Sequence, residues 1–208
     1  TSPKPETKPA PSTPAPAPTQ TPSPSPSPVP APTPAPSTPG GAVKVYSDVK
    51  ETDWCYAGVQ YVSQRGLMQG VSATDFSPNS KTTRAMVWTM LARLSGQNTE
   101  GGANWYEKGQ TWAMSNGITD GADPNGTITR EQIATMLWRS KGSPASGGDL
   151  AQFTDSSQIS AYAQDAIRWA AEQNIVNGKG NGILDPQGPA TRAEVAQMFM
   201  NFMIRMGV

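Results

Sequence analysis

Three times in this chain a threonine is followed directly by an arginine: Thr83-Arg84, Thr129-Arg130 and Thr191-Arg192. Thr191-Arg192-Ala193-Glu194 reads as a capping box, in which the hydroxyl accepts from the Glu194 N–H and the glutamate reaches back. Thr129-Arg130-Glu131-Gln132 fits the same pattern with glutamine, and Thr83-Arg84-Ala85-Met86 keeps only the threonine half. Capping explains the threonine and the acid but not the arginine. At the first helical position it faces the positive end of the helix dipole, where an exposed cation costs about 0.3–1 kcal/mol. Two chemistries account for it. Arginine beside free helix N-terminal N–H groups suits an anion such as a carboxylate; alternatively, it pairs with a loop aspartate of a neighbouring segment. Upstream stands an aromatic ring, Trp54, Trp105 or Tyr162, at the start of another helical pattern. Such a ring either stacks on a sugar face or plugs the edge of a core. Asp48 in YSDV and Asp155 in FTDS precede their rings by six and seven residues, and the middle segment has no such aspartate. These two are turn formers or caps, or they accept hydroxyl protons from a glycan.

The elements that must position these residues repeat. Seven residues after the first ring comes a second, Tyr61, Trp112 or Trp169, and five later Gly66, Gly117 or Asn174. Each block then closes on Gly70, Gly121 or Gly178. From Gly66 to Arg84 and from Asn174 to Arg192 is 18 residues, whereas Gly117 to Arg130 is 13, so the middle loop is five shorter. Self-similarity at this period is the mark of a repeat architecture. Each unit reads as helix, turn, loop, helix. Gly66, Gly117 and Asn174 suit left-handed C-terminal caps, and Ser77-Pro78-Asn79, Asp123-Pro124-Asn125-Gly126 and Asp185-Pro186 supply turns. Ala163, Ala166, Ile167 and Ala170 mark the apolar face of a first helix. Val87, Met90, Leu91 and Leu94, then Ile133, Met136 and Leu137, then Val195, Met198, Phe199, Phe202 and Met206 mark second helices at core-facing spacing. One helix pair cannot bury such a stripe alone, but three can pack their second helices around a common axis. The expected units are 43–97, 98–147 and 148–208, called units 1, 2 and 3 below, forming one folded domain.

Composition narrows the chemistry. With no histidine among 208 residues, Ser-His-Asp and Cys-His catalysis and His-ligated zinc are excluded. The one cysteine, Cys55, cannot form an intramolecular disulfide. Lys+Arg and Asp+Glu are both 16, so a basic footprint for nucleic acid or an anionic membrane is missing. No apolar run approaches the roughly 18 residues of a membrane span. Residues 1–42 hold 16 of the 21 prolines and none of the 15 aromatics. This Pro/Ala/Ser/Thr tract cannot bury enough apolar area to offset its ordering entropy, and reads as an unfolded linker with polyproline II character. At about 3.1 Å per residue it would span on the order of 120 Å. Thr1 follows no basic or apolar leader, which reads as the start of a mature or truncated piece.

The blocks YSDV…W…GLMQG…FSP…TTRAM, WY…W…GITDG…ITREQ and FTD…Y…W…NIVNG…LDP…ATRAE resemble three tandem S-layer homology repeats, over about residues 43 to 206. The resemblance implies a mainly α fold: three helix-loop-helix repeats in a pseudo-threefold arrangement around a central three-helix bundle, with ligand in the grooves between repeats. It implies a non-catalytic module that needs no cofactor and anchors a passenger, joined N-terminally through the proline tract, to secondary cell wall polymer. That polymer is a peptidoglycan-linked glycan carrying a pyruvylated amino sugar, on the cell surface of a Gram-positive-type bacterium. Carried over, the binding residues are Asp48, Trp54 and Arg84 in unit 1, Trp105 and Arg130 in unit 2, and Asp155, Tyr162 and Arg192 in unit 3. Gly70, Gly121 and Gly178 would let backbone approach the sugar. On that reading Arg84→Ala and Arg192→Ala weaken binding with little loss of stability. The departures are Met86 in place of glutamate, the missing aspartate of unit 2, and Tyr162 in place of tryptophan.

Three other readings remain at this point. A structural module of a surface array would carry the same repeats. A wall-acting glycosidase would need paired carboxylates, with Asp165, Glu172 and Glu194 the candidates. Calcium-dependent pairing is suggested by Asp123-Pro124-Asn125-Gly126, which lacks the further acidic ligands of an EF-type loop.

Overall fold

A computed structural model describes residues 43–208; the expected linker, 1–42, lies outside the described residues. The described chain is helical: α1 (Tyr56–Gln64), α2 (Arg84–Leu94), α3 (Glu107–Ser115), α4 (Arg130–Arg139), α5 (Gln164–Glu172) and α6 (Arg192–Met206). Each unit supplies one first helix (α1, α3, α5) and one second helix (α2, α4, α6), as its apolar periodicity requires. α1 and α3 begin two residues after Trp54 and Trp105, which precede them, whereas Tyr162 sits in a 3-10 turn, Ala161–Ala163, that runs directly into α5. Each first helix ends as the sequence demands. Gly66, Gly117 and Asn174 take φ of 68°, 68° and 54°, and the next residue's N–H returns to the last turn, as in Ile175 to the Ala170 carbonyl at 2.7 Å.

The second helices begin on the three threonines. Thr129 and Thr191 form full capping boxes with Gln132 and Glu194, while Thr83 accepts from Met86 N alone at 3.4 Å. The stripes counted as core are core: Val87, Leu91, Ile133, Leu137, Val195 and Phe199 are buried.

Helices pack between units rather than within them. The close pairs are α2 with α3, α4 with α5, and α6 with α1. Small residues permit this. A Cβ on Gly58 would lie 3.0 Å from the Gln197 backbone, and one on Gly109 would lie 2.9 Å from Thr89 Cα. The backbone follows the same order. Ile128 N–H donates to Thr82 O at 2.9 Å, Ala190 N–H to Ile128 O at 2.9 Å, and Thr82 N–H to Ala190 O at 3.0 Å. These three fully buried residues stand just before the capping threonines, and their bonds form a closed circuit through all three units. Isolated bridges repeat it: Thr83 with Thr127, Thr129 with Pro189, Lys81 with Thr191. The first unit is thereby tied to the last across more than a hundred residues of chain.

Candidate functional site

The arginines act at these same junctions. Arg84 Nε donates to Ala122 O at 2.8 Å and Nη2 to Asp120 Oδ1 at 2.6 Å. Arg130 Nε donates to Leu184 O at 2.8 Å, Nη2 to Asn177 O at 2.6 Å and Nη1 to Glu194 Oε1 at 3.3 Å. Arg192 Nε donates to Phe76 O at 2.8 Å and Nη2 to Gln69 O at 2.5 Å, with its guanidinium 4.6 Å from the Phe76 ring centre. Unit 1 thus holds the loop of unit 2, unit 2 that of unit 3, and unit 3 that of unit 1. Pairing with a neighbouring loop aspartate describes Arg84 alone; Arg130 and Arg192 chiefly bind main-chain carbonyls.

The helix N-termini are not free, which corrects the anion expectation at that point. The first two N–H groups of each second helix donate to the next unit's loop: Arg84 to Gly126 O and Ala85 to Pro124 O, Arg130 to Gly188 O and Glu131 to Pro186 O, Arg192 to Ser80 O and Ala193 to Pro78 O. The threonine hydroxyl takes the third. The turn suggested for calcium, 123–126, is one of these clamped loops. Among the described residues no group of three or more acidic or Cys side chains is arranged to hold a metal.

The loops are shaped for this by left-handed residues before each proline: Ser77, Asp123 and Asp185, with φ of 59°, 48° and 53°. Asp48 and Asp155 lock two of them. Asp48 accepts from the Phe76 and Ser77 N–H groups at 2.8 and 2.7 Å, Asp155 from those of Leu184 and Asp185 at 2.9 and 2.7 Å. The five-residue-shorter loop of unit 2 has no aspartate in this place. Burial pushes the Asp155 carboxyl up, but the two N–H donors and Arg130 outweigh it and hold the pKa below the ordinary aspartate value. A depressed folded-state pKa contributes stability above the unfolded value of about 3.9 and loses it as pH falls through the folded one. The stability difference between wild type and Asp155→Asn, measured by urea unfolding, is therefore expected to be constant from pH 7 to about 5 and to shrink below about pH 4.

Two grooves lie at the junctions. One, of about 560 Å³, is lined by Trp54 of unit 1, Arg130 of unit 2, and Gly178, Lys179, Glu194 and Asn201 of unit 3. The other, of about 400 Å³, is lined by Tyr162 of unit 3, Arg84 of unit 1, and Asp120, Gln132, Thr135 and Arg139 of unit 2. Each takes a ring, a guanidinium and a wall from three different units, and most wall positions correspond along the repeats: Ile118, Asp120, Gln132, Thr135, Met136 and Arg139 stand where the other groove has Ile175, Asn177, Glu194, Gln197, Met198 and Asn201. Trp54 is 65% and Tyr162 51% exposed, so neither plugs a core. Their fixings differ. In the Tyr162 groove, Glu131 Oε1 accepts from the ring hydroxyl at 3.0 Å, and its carboxylate also takes the Ser160 N–H and hydroxyl. Burial, then the bond to Glu131, push the tyrosine hydroxyl to about 12. In the Trp54 groove, Lys179 bridges Asp185 at 2.6 Å and Glu194 at 3.3 Å. Burial works against its charge, but the two carboxylates prevail and raise its pKa.

The residues expected at the third junction are Trp105, Arg192 and Gly70. Trp105 is half-buried with its ring edge-on to Tyr106 at 5.4 Å. Gly70 and Gly178 fit tightly against their own loops: a Cβ would meet Asp75 O at 2.6 Å and Ile183 O at 2.8 Å. Gly121, at φ 73°, packs on Met114. Of the carboxylates considered for hydrolysis, Glu194 completes its capping box, Glu172 accepts from the Ser146 hydroxyl at 2.5 Å, and Asp165 is exposed on α5. Sequence reading did not single out Lys179, Asp120, Arg139 or Asn201. Extending the repeat alignment nine residues past each arginine finds the last two. Arg93, Arg139 and Asn201 each donate to the carbonyl of their own unit's Leu67, Ile118 or Ile175.

A family model described as the S-layer homology domain matches residues 45–85 and 152–196. The stretch between, with the shorter loop and no counterpart of Asp48 and Asp155, falls outside both matches. The chain is 31% identical over 169 residues to an endoglucanase of Bacillus sp. (strain KSM-635), covering 74% of this chain and 18% of that protein. It is 29% identical over 181 residues to an amylopullulanase of Thermoanaerobacterium thermosulfurigenes, covering 79% and 10%. It is 26% identical over 169 residues to the surface-layer 125 kDa protein of Lysinibacillus sphaericus, covering 72% and 14%. The match thus spans less than a fifth of the length of each of these relatives.

Proposed function

Since this chain carries S-layer homology domain sequence in two of its three units, we propose that it is a non-catalytic module that anchors a larger protein to the bacterial cell surface. Its ligand is the secondary cell wall polymer, bound in grooves between units. The observation that carries this reading is the pair of equivalent grooves, each lined by an exposed ring and an arginine. An apolar ring face beside hydrogen-bonding groups suits a sugar. The closed circuit of junctions supports a threefold arrangement of the repeats, with second helices around the axis. Enzymes and a surface-layer protein alike carry a similar segment as a small part of their length, which supports a shared attachment role over a shared reaction. The passenger is joined N-terminally through the 1–42 tract. Among the described residues no helix is long and apolar enough to cross a membrane. The surface-layer relative favours a second reading, in which the module is part of an array-forming protein.

Co-sedimentation with purified walls tests the first. The chain is expected to pellet with walls that retain their polymer and to stay in solution with walls stripped of it. Equal binding to stripped peptidoglycan overturns the polymer assignment.

A further inference from the structure

The closing glycines of units 1 and 3 lie under buried rings. A Cβ on Gly70 would meet Tyr46 Cε1 at 2.6 Å, and one on Gly178 would meet Phe153 Cε1 at 3.3 Å. Tyr46 and Phe153 are both buried, and the Tyr46 hydroxyl also accepts from the Gly70 N–H at 3.1 Å. Each ring belongs to the segment that carries Asp48 or Asp155. Unit 2 lacks that segment, and residues 97–104 contain no aromatic. Its glycine, Gly121, is covered instead by Met114 of α3, whose Sδ, Cγ and Cε are the nearest atoms to a Cβ placed there. In the other units this position, nine residues after the first ring, holds the small Ser63 and Ala171. The methionine stands in for the missing ring, a use that suits its unbranched, adaptable thioether. Unlike the rings, it is open to water: Met114 is 48% exposed. All nine methionines lie among the described residues, and the other eight are buried or half-buried. The loop that Met114 covers is the one Arg84 grips, at Asp120 on one side of Gly121 and Ala122 on the other.

We propose that Met114 is a modification site: hydrogen peroxide oxidises its thioether to the sulfoxide, and the change loosens the unit 2 loop at its junction with unit 1. The sulfur lone pair attacks one peroxide oxygen. An S–O bond forms, the O–O bond breaks, and the other oxygen leaves as water with both peroxide protons. Sulfur is oxidised and the peroxide is reduced. The apolar side chain becomes polar and chiral. Its new oxygen meets no donor at Gly121, whose N–H already goes to the Thr119 hydroxyl at 3.3 Å. The Gly121 carbonyl is taken by Gln110 Nε2 at 2.7 Å. The oxidised side chain therefore turns to solvent, and Gly121 loses its cover. Methionine sulfoxide reductases reverse the step.

Brief exposure of the full chain to dilute hydrogen peroxide, followed by peptide mass mapping, tests the site. The first oxygen is expected on Met114, ahead of half-buried Met200 and Met206. Hydrogen exchange of the singly oxidised chain is expected to be faster across 120–126 and unchanged across 76–80 and 184–190, in the units whose closing glycines keep their rings. Melting temperature is expected to fall by a few degrees, and the two reductases, one for each sulfoxide epimer, to restore both readings. Met114→Leu keeps an apolar cover of similar volume. It is expected to match unoxidised wild type in exchange and melting temperature and to lose the response to the same peroxide dose. First oxidation at Met200 or Met206 overturns the site. Unchanged exchange across 120–126 in chain oxidised at Met114 overturns the loosening. A wild-type response to peroxide in Met114→Leu overturns both.

Discussion

Replacing Arg192 with alanine is expected to destabilise the folded unit by about 3–6 kcal/mol, because two charge-assisted hydrogen bonds are lost and two main-chain carbonyls are left without donors. For a domain of this size that is a fall in melting temperature of roughly 10–20 °C. The residue is 3% exposed, so water cannot replace the lost donors. The bonds it makes, to Gln69 and Phe76, span 123 and 116 residues. They are part of the junction that returns unit 3 to unit 1, and no local contact substitutes for them. Arg192→Lys is expected to fall between, since one ammonium cannot reach both carbonyls in the fork geometry of a guanidinium. Arg84→Ala is expected to cost only about 1–2 kcal/mol. Its side chain is 14% exposed, and its partner Asp120, 69% exposed, returns to water. Differential scanning calorimetry of the three variants checks the order. Near-equal melting temperatures for Arg192→Ala and wild type would show that the arginine is not the clamp its geometry describes. Burial thereby reverses the sequence expectation that Arg192 could be removed with little loss of stability.

That reversal shows where sequence reading stops. The capping boxes were legible because threonine and the residue three later form a local pair, and the structure has both full boxes and the half box. The left-handed ends at Gly66, Gly117 and Asn174 were legible for the same reason. The arginine was recognised as unexplained, since no local interaction calls for a cation at a helix start. Its partners lie in another unit, at separations that no periodicity encodes. Asp48 and Asp155 were legible as turn formers but not as locks on loops 28 to 30 residues away. Glu131 stands where the other units have Ala85 and Ala193, and Tyr162 where they have tryptophan. Each departure looks isolated in sequence. In space they are one feature, a carboxylate and the hydroxyl it fixes.

The junctions also connect stability to the site. An arginine that clamps the next loop presents the edge of a groove as it does so, and the ring that completes the groove comes from the third unit. A groove can therefore exist only when the circuit is closed. Neither groove is carried by one unit alone.

Removing both exposed rings, Trp54→Ala with Tyr162→Ala, is expected to abolish retention on walls while leaving the fold intact. Each ring is more than half exposed, so the core loses little. Trp54→Ala is expected to change stability by no more than about 0.5 kcal/mol. Tyr162→Ala removes one hydrogen bond from Glu131, which keeps those from Ser160, at a cost of about 1 kcal/mol. Binding responds differently. A central aromatic contact in a recognition site is worth about 2 kcal/mol or more, so each single change weakens its own groove roughly thirtyfold. If the proposed polymer, as a repeating ligand, reaches both grooves at once, joint engagement multiplies affinity by about 10²–10⁴ over either alone. Either single variant loses most of that gain, and the double variant loses both contacts and the avidity with them. Wall co-sedimentation should show an intermediate fraction bound for each single change and background for the double. Tyr162→Phe, which keeps the ring and drops the hydroxyl, is expected to bind much closer to wild type than Tyr162→Ala. Retention of the double variant at wild-type levels would place the polymer elsewhere on the surface. Loss of the double variant's thermal transition would make the rings structural rather than exposed platforms.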